Sequence, residues 1–353
     1  MRGLVVVGTA NDPAEAARIG LDWVLWVQQH LEALTPLMQV ITVLGDEEFA
    51  VLVVPLLLWS VSLGLGVRVG GLMLVSAGLN TALKLSAVTP RPAWVSGEVT
   101  ALVAERSYGI PSGHAQNAVA VWGRLAVALR HRWLQVLLVV TILAIAISRW
   151  WVGAHFPADT VAGLAVGAVL LVLAVRVVEP RLVAFARRAS ATAQALAVAA
   201  ASAALVVLPL LTRRSPWAGE PPQAWEEQAA AATPEATAID PTAVGSAMVP
   251  AGALLGVGLG LVLLERRGGF SARGAWWQRA LRYPVGLVGL AVLYLGGEAV
   301  LPGGDDPLSL ALTYAQFVVI GLWIGWLAPR LFIALRLAAA PASTGRDRAR
   351  RST

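Results

Sequence analysis

The chain has 353 residues, of which 57% are hydrophobic and only 14% are charged, and its mean hydropathy is +0.69. Repeated continuous apolar runs of about twenty residues exclude an ordinary soluble protein and predict an all-α, polytopic membrane helical bundle. The net charge of +6 does not indicate nucleic-acid binding, because the arginines cluster at one set of connections between the runs. There is no cysteine, which excludes disulfides and thiolate metal sites.

Residues 1–44 form an N-terminal segment before the clear apolar runs. Its start, Met1 to Gly20, has one short apolar run followed by polar residues, so we expect no cleavable signal peptide. Residues 21–43 mix polar side chains such as Gln28 and Glu32 with apolar ones. This pattern favours an amphipathic helix at the membrane surface, with a poor membrane span as the alternative.

About nine membrane spans follow, because polar connections separate nine apolar runs. The runs lie at about 49–65, 69–88, 113–129, 134–148, 158–178, 193–211, 246–264, 284–301 and 309–333. Residues 212–245 are rich in Ala, Pro and Glu, which predicts a solvated extramembrane loop without a core of its own. The residues from Arg346 to Arg351 form a basic tail.

The charges of the connections predict which side of the membrane each one faces. Arginines concentrate at 66–68, 130–132, 176–188, 265–282 and the tail, whereas most acids lie at 44–48, 89–110, 149–157, 212–245 and 302–308. The positive-inside rule places the first set and the C-terminus in the cytoplasm and the second set outside, with Arg213 and Arg214 as the main exception. The preference for Arg over Lys and for Ala and Val favours a bacterial chain. We therefore expect a protein of a bacterial inner membrane.

Three polar islands interrupt the spans, and the predicted topology puts all three on the outer face. The first joins Lys84 to Arg91-Pro92, the second is Pro111-Ser112-Gly113-His114, and the third joins Ser148-Arg149 to His155 and Asp159. Each island alone has an ordinary explanation, such as an interfacial anchor or a helix start. Two observations favour a function instead. Lys84 is the only lysine among 27 basic residues, and two of the four histidines lie in these islands.

Two histidines and a carboxylate have the properties that nucleophilic catalysis requires. The i to i+4 spacing lets Asp159 approach the ring of His155 near a helix start. A carboxylate on one ring nitrogen fixes the tautomer and leaves the other nitrogen as a nucleophile. His114 is then available to protonate a leaving group.

The remaining motif residues are suited to holding a phosphoryl group. Lys84, Arg91 and Arg149 supply three positive charges for its oxygens during in-line transfer. A helix that begins at Ser112 offers free backbone N–H groups, and Gly113 lets an anion approach the backbone closely. We expect no metal and no other cofactor, because these cations already neutralise the charge.

The complete pattern closely resembles that of the type 2 phosphatidic acid phosphatase superfamily, the integral-membrane lipid phosphate phosphatases. The family pattern is Lys, six residues, Arg-Pro, then Pro-Ser-Gly-His, then Ser-Arg, five residues, His, three residues and Asp, and every position is present in order. The resemblance covers roughly residues 45–180 and implies a six-helix phosphatase core in the N-terminal half. Residues 181–353 add further spans that have no counterpart in that core.

The resemblance also implies a role for each matched residue. His155 would form a phosphohistidine, with Asp159 as its partner and His114 as the general acid. The implied phosphate-binding residues are Lys84, Arg91, Ser112, Gly113 and Arg149.

The leading hypothesis is therefore a membrane enzyme that hydrolyses the phosphomonoester or diphosphate of a lipid-linked substrate. Phosphatidate-like lipids, sphingoid phosphates, undecaprenyl diphosphate and a soluble sugar phosphate all stay open as substrates. Expected partners are this substrate and membrane lipids, with no nucleic acid, and a homo-oligomer is left open. One alternative is a non-catalytic lipid transporter or scramblase that binds phosphate. Another is a vanadium-dependent haloperoxidase, which the membrane character disfavours because those enzymes are soluble.

Overall fold

A computed structural model describes residues 13–215 and 219–339, and within these ranges the fold is entirely helical, without a β-strand. The expected all-α class is confirmed. The expectations for the first twelve residues and for the basic tail lie outside the described residues.

The N-terminal segment folds as two helices rather than one. They are α1 (Pro13–His30) and α2 (Thr35–Val43), and the 3₁₀ turn Glu32–Leu34 separates them. A proline at the start of α2 suits a new helix and not the continuation of the old one. Both helices pack against α8 (Arg132–Trp151). The predicted single amphipathic helix over 21–43 is thus divided, and its two parts contribute to the core.

The N-terminal half continues as a bundle in which several helices are short or interrupted by π-helical turns. Besides α8, its helices are α3 (Glu47–Leu56), α4 (Leu63–Ala87), α5 (Pro92–Val95), α6 (Gly113–Ala118), α7 (Arg124–Ala128), α9 (Pro157–Leu173) and α10 (Glu179–Arg188). π-helical turns at Leu57–Val61, Val119–Gly123 and Ala174–Val178 follow α3, α6 and α9. Pro55, inside α3, removes a backbone donor close to the first of these turns.

The C-terminal half adds a second group of helices that packs directly on the first. They are α11 (Ala191–Arg213), α12 (Gln223–Ala232), α13 (Gly245–Arg266), α14 (Trp276–Val300), α15 (Pro307–Leu322) and α16 (Ala328–Ala334), with a π-helical turn at Trp323–Leu327. Helix α13 lies between α11, α15 and α4. A Cβ atom on Gly256 would come within 2.1 Å of the carbonyl oxygen of Val318, so only glycine lets α13 approach α15 this closely.

Seven helical segments among the described residues are long and apolar enough to cross a membrane. They are Leu63–Val95, Arg132–Trp151, Pro157–Arg188, Ala191–Arg213, Gly245–Arg266, Trp276–Val300 and Pro307–Ala334. The two other predicted spans correspond to α3 with the π-helical turn that follows it, and to α6 and α7 with the π-helical turn between them. Each runs for roughly 15 residues, or roughly 23 Å, which is shorter than a hydrocarbon core of roughly 30 Å. The estimate of about nine spans is therefore approximate.

The predicted solvated loop at 212–245 has a different structure from the one expected. It contains α12, which packs against α5. The rings of Trp225 and Trp94 lie 6.5 Å apart, and Ala229 is buried in a cluster that includes Trp94 and Tyr108. The apolar residues of the segment have their partners elsewhere in the chain, in residues 85–108 and in Leu210 and Leu310. Its sequence alone therefore suggested no core.

Candidate active site

The three polar islands meet at one end of the N-terminal bundle. Lys84 lies near the end of α4 and Arg91 just before α5, whereas Arg149 lies near the end of α8. The second island begins α6, and the third crosses from α8 to the start of α9. Loops at the ends of packed helices therefore assemble all eight predicted site residues around one centre.

His155 lies at this centre and is almost fully buried, with 1% of its surface exposed. Its Nδ1 is 3.1 Å from Asp159 Oδ2, and its Nε2 is 3.1 Å from a guanidinium nitrogen of Arg91. A guanidinium group can only donate, so Nε2 must be the acceptor and Nδ1 must carry the proton given to Asp159. Both neighbours thus select the tautomer that has a lone pair on Nε2, the form a nucleophile needs.

The protonation state of His155 follows from its surroundings. Burial lowers the pKa of His155 well below its usual value, and the charges of Arg91 and Arg149 lower it further. The ring is therefore neutral at neutral pH. The carboxylate of Asp159 is held in place by the backbone N–H of Phe156, at 3.0 Å, so its position does not depend on His155 alone.

Arg91 is fixed by main-chain acceptors on three residues. It donates to the carbonyl oxygens of Ser107 at 2.6 Å, Ala154 at 2.9 Å and Tyr108 at 3.2 Å. The hydroxyl of Ser107 accepts from both Arg91, at 3.1 Å, and the Nζ of Lys84, at 2.8 Å. Ser107 therefore holds the two cations of the first island side by side.

Arg149 is tied to the same centre through Glu105. One carboxylate oxygen of Glu105 accepts a hydrogen bond from Arg149, and the other lies 3.2 Å from Arg91. Arg149 also donates to the hydroxyl of Thr42 at 2.6 Å. Its Nε atom is buried and has no hydrogen-bond partner among the described residues. One donor of this arginine is thus left for a ligand.

The charge of Glu105 balances these two arginines. Burial alone would raise the pKa of Glu105, but the adjacent positive charges of Arg91 and Arg149 lower it below its usual value. Glu105 therefore stays ionised and keeps both guanidinium groups in fixed orientations. A phosphate that binds here meets arginines that are already positioned.

The second island provides backbone donors. Ser112 is the N-cap of α6, its own N–H donates to the carbonyl of Asp159 at 3.0 Å, and no side chain caps the helix start. The Ser112 hydroxyl is fully buried and lacks a partner within the part of the chain that the structure describes. The N–H groups of a helix start and an unpaired buried hydroxyl together suit an anion.

His114 is held by a residue from outside the three islands. Its Nε2 donates to Asp46 Oδ1 at 2.6 Å, and Asp46 is the N-cap of α3. The carboxylate of Asp46 therefore orients the ring, which can act as a proton donor when it is an imidazolium with a second proton on Nδ1. His114 is more exposed than His155 and lies at the wall of the same cavity.

A glycine brings the second and third islands into contact. A Cβ atom on Gly109 would lie 2.7 Å from the carbonyl oxygen of Pro90 and 3.0 Å from Asp159 Oδ2. Any larger residue would push the loop away from the carboxylate that orients His155. Gly109 thus fixes the distance between the loop and the pair His155 and Asp159.

A cavity of about 270 Å³ opens onto these groups. Lys84, Glu105, His114 and His155 line it together with Gly113. The predicted nucleophile, the predicted proton donor and a cation therefore line one space, an arrangement that would suit phosphoryl transfer.

Two family models match the chain. Residues 65–182 match the PAP2 superfamily, and residues 248–340 match the PAP2 superfamily phosphatase, transmembrane extension. The chain belongs to the PAP2 superfamily. It is a membrane protein of a phosphatase superfamily, so the resemblance expected from the motifs is confirmed. No curated protein and no solved structure matches the chain.

The PAP2 match contains all eight predicted site residues, but sequence reasoning missed several residues that hold them. Glu105, Ser107 and Asp46 each contact a site residue directly. Glu105 and Asp46 lie in polar connections that contain other acids, such as Glu98 and Glu48, so nothing in the sequence distinguishes them from solvated acids. The short spacing from Glu105 and Ser107 to the Pro-Ser-Gly-His motif is the one signal that could have drawn attention to them.

Proposed function

We propose that this protein hydrolyses the phosphomonoester or diphosphate of a lipid-linked substrate through a phosphohistidine on His155. The observation that supports this most is the fixed tautomer of His155. Asp159 and Arg91 contact its two ring nitrogens, and His155 lines a cavity that His114 also lines. Binding alone would not require a neutral imidazole held in this way, which argues against a pure transporter or scramblase.

The proposed reaction has two steps. In the first, Nε2 of His155 attacks phosphorus, the bond from phosphorus to the leaving oxygen breaks, and the imidazolium of His114 gives that oxygen a proton and becomes neutral. In the second, His114 removes a proton from water, which attacks phosphorus, and inorganic phosphate leaves as the bond to His155 breaks. Asp159 stabilises the positive ring that exists while the nitrogen is bonded to phosphorus.

Side-chain and backbone donors supply the charge stabilisation in this proposal. Lys84, Arg91 and Arg149 neutralise the phosphoryl oxygens, and the start of α6 at Ser112 and Gly113 contributes N–H groups. We therefore propose a reaction that needs no metal. The arginine-rich connections support a site on the outer face and a cytoplasmic C-terminus, in a bacterial inner membrane.

The test is phosphate release from a panel of lipid phosphates by purified protein in detergent with a chelator present. His155→Ala should reduce turnover by at least about a thousandfold, because it removes the nucleophile. His131→Ala is the matched control, since His131 is exposed at the start of α8, at the opposite end from the site. A labelled, acid-labile phosphoryl group should be trapped on His155. Equal rates for the wild type and His155→Ala would refute the proposal.

A further inference from the structure

The C-terminal extension reaches the catalytic cavity through the residues that lead into α13. Pro241, Ala243 and Ser246 line the same cavity as Lys84 and His155. Pro241 and Ala243 belong to the segment for which the sequence predicted a solvated loop. One wall of the proposed active site therefore comes from the part of the chain that has no catalytic motif.

Hydrogen bonds fix this wall to the loop that holds the site cations. The N–H of Asp240 donates to the carbonyl of Arg106 at 3.2 Å, and the Nε of Arg106 donates to the carbonyl of Ala238 at 3.0 Å. The hydroxyl of Tyr108 donates to the carbonyl of Gly219 at 2.6 Å. Both neighbours of Ser107, the residue on which Lys84 and Arg91 meet, are thus bonded to the extension.

The start of α13 is fixed on two sides. The hydroxyl of Ser246 lies 3.2 Å from that of Thr81, which is one turn before Lys84 on α4. Asp305 accepts from the N–H groups of Val244 and Gly245 at 2.9 and 3.0 Å. The position of Ser246 relative to the site is therefore set by α4 and by the connection before α15.

Exposure shows where the cavity opens. Among its lining residues, Glu47, Glu48 and Ser246 are exposed, whereas Lys84 and His155 are buried. The mouth accordingly lies between the start of α3 and the start of α13. A volume of about 270 Å³ is below the range of about 300–1,000 Å³ that encloses a drug-sized ligand. Phosphate and the adjoining atoms of a substrate fit inside the cavity, and the rest of the substrate must extend out through its mouth.

We propose that residues 241–246 form one wall and the rim of the catalytic cavity and thereby select substrates by the size of their leaving group. The inference rests on the proposed phosphatase function, because a leaving group exists only if the ester is cleaved. Pro241, Ala243 and Ser246 are small or rigid side chains. They leave a passage for a narrow leaving group, and any bulk added to them narrows it.

The absence of cysteine from the chain permits a reversible test. Ser246→Cys, and separately Ala243→Cys, would be purified and treated with methyl or benzyl methanethiosulfonate, which joins a small or a bulky group to the thiol through a disulfide. Dithiothreitol removes the group again. Because the protein is modified after it has folded, a change in rate reports on the cavity. Ala238→Cys is the matched control, since Ala238 is exposed in the same segment and lies outside the cavity lining.

Phosphate release would be measured from phosphatidate in micelles and from methyl phosphate. The benzyl group on Ser246→Cys should lower kcat/KM for phosphatidate by at least about tenfold and for methyl phosphate by less than about twofold. The methyl group should have a smaller effect, and reduction should restore the rate. An equal loss for both substrates, or no difference from modified Ala238→Cys, would overturn the inference. If the unmodified wild type released no phosphate from any lipid phosphate, the proposed function itself would fail.

Discussion

Two buried arginines at opposite ends of the N-terminal bundle differ in how completely they are paired. Arg149 lies in the candidate site, where its Nε has no partner among the described residues. Arg282 is fully buried at the other end, near the π-helical turn that follows α3. It donates to the carbonyl oxygens of Leu337, Trp59, Ala272 and Arg273, at 2.8, 3.1, 2.8 and 2.8 Å.

The difference separates a binding arginine from a structural one. Main-chain carbonyls bind all three nitrogens of Arg282 and accept from four of its five N–H groups, and the ring of Phe270 covers it at 5.6 Å. Arg149 is held by the side chains of Glu105 and Thr42 and keeps a donor free. The two arginines are alike in burial and charge. They differ in how many of their N–H donors are hydrogen-bonded within the protein.

Within this comparison, the largest expected effect on activity is that of replacing Arg149. Arg149→Met should lower kcat/KM for a lipid phosphate by about 10²–10³-fold, because it removes a positioned donor from the developing charge. The thermal midpoint in detergent should change little, since Glu105 keeps its contact with Arg91. A variant that retained more than a tenth of the activity would show that Arg149 is structural, like Arg282.

Arg282→Met should lower stability and leave activity unchanged, which is the opposite of what we expect for Arg149→Met. The substitution leaves four main-chain carbonyls at buried positions without their donor, and we expect a loss of about 3 kcal/mol in the free energy of unfolding. Phosphate release per folded molecule should stay at the wild-type level. A fall in total activity larger than the fall in the folded fraction would show that Arg282 also contributes to the site.

The pH dependence of kcat/KM tests the electrostatic part of the comparison. Burial and then the charges of Arg91 and Arg149 lower the pKa of His155, so the neutral nucleophile should persist below the usual histidine range near about 6.5. Activity should be lost only as pH falls through this lowered value. Arg149→Met removes one of the charges, so its acidic limb should lie at higher pH than that of the wild type. Both enzymes are assayed on one substrate, so the ionisation of the substrate affects the two pH profiles equally.

Ser112→Ala should have the smallest effect, and it again separates a group that binds phosphate from one that stabilises the fold. The Ser112 hydroxyl is buried without a partner among the described residues, so its removal should not lower the thermal midpoint. The kcat/KM should fall by about tenfold if the hydroxyl binds phosphate. Ser202→Ala is the control, because Ser202 donates to the carbonyl of Ala251 at 2.8 Å within the extension. For Ser202→Ala we expect a lower thermal midpoint and an unchanged turnover.

Much of the site was predictable because its residues have fixed spacings within short segments. The i to i+4 spacing of His155 and Asp159 predicted a contact that is found at 3.1 Å. The membrane character followed from continuous apolar runs, which seven long helices confirm. Span counts were less predictable, since π-helical turns and Pro55 shorten helices whose apolar runs continue.

The sequence by itself determined the membrane-helical class of this protein and its superfamily motif, because continuous apolar runs and fixed local spacings are visible without the fold. Tertiary structure alone decided which ordinary residues complete the site. Glu105 and Asp46 are acids among many, and they matter only because folding brings them to Arg149 and His114. In the same way, residues 241–246 join the cavity because α13 packs on α4. Such contacts between distant segments depend on the packing of whole helices, which no local pattern encodes.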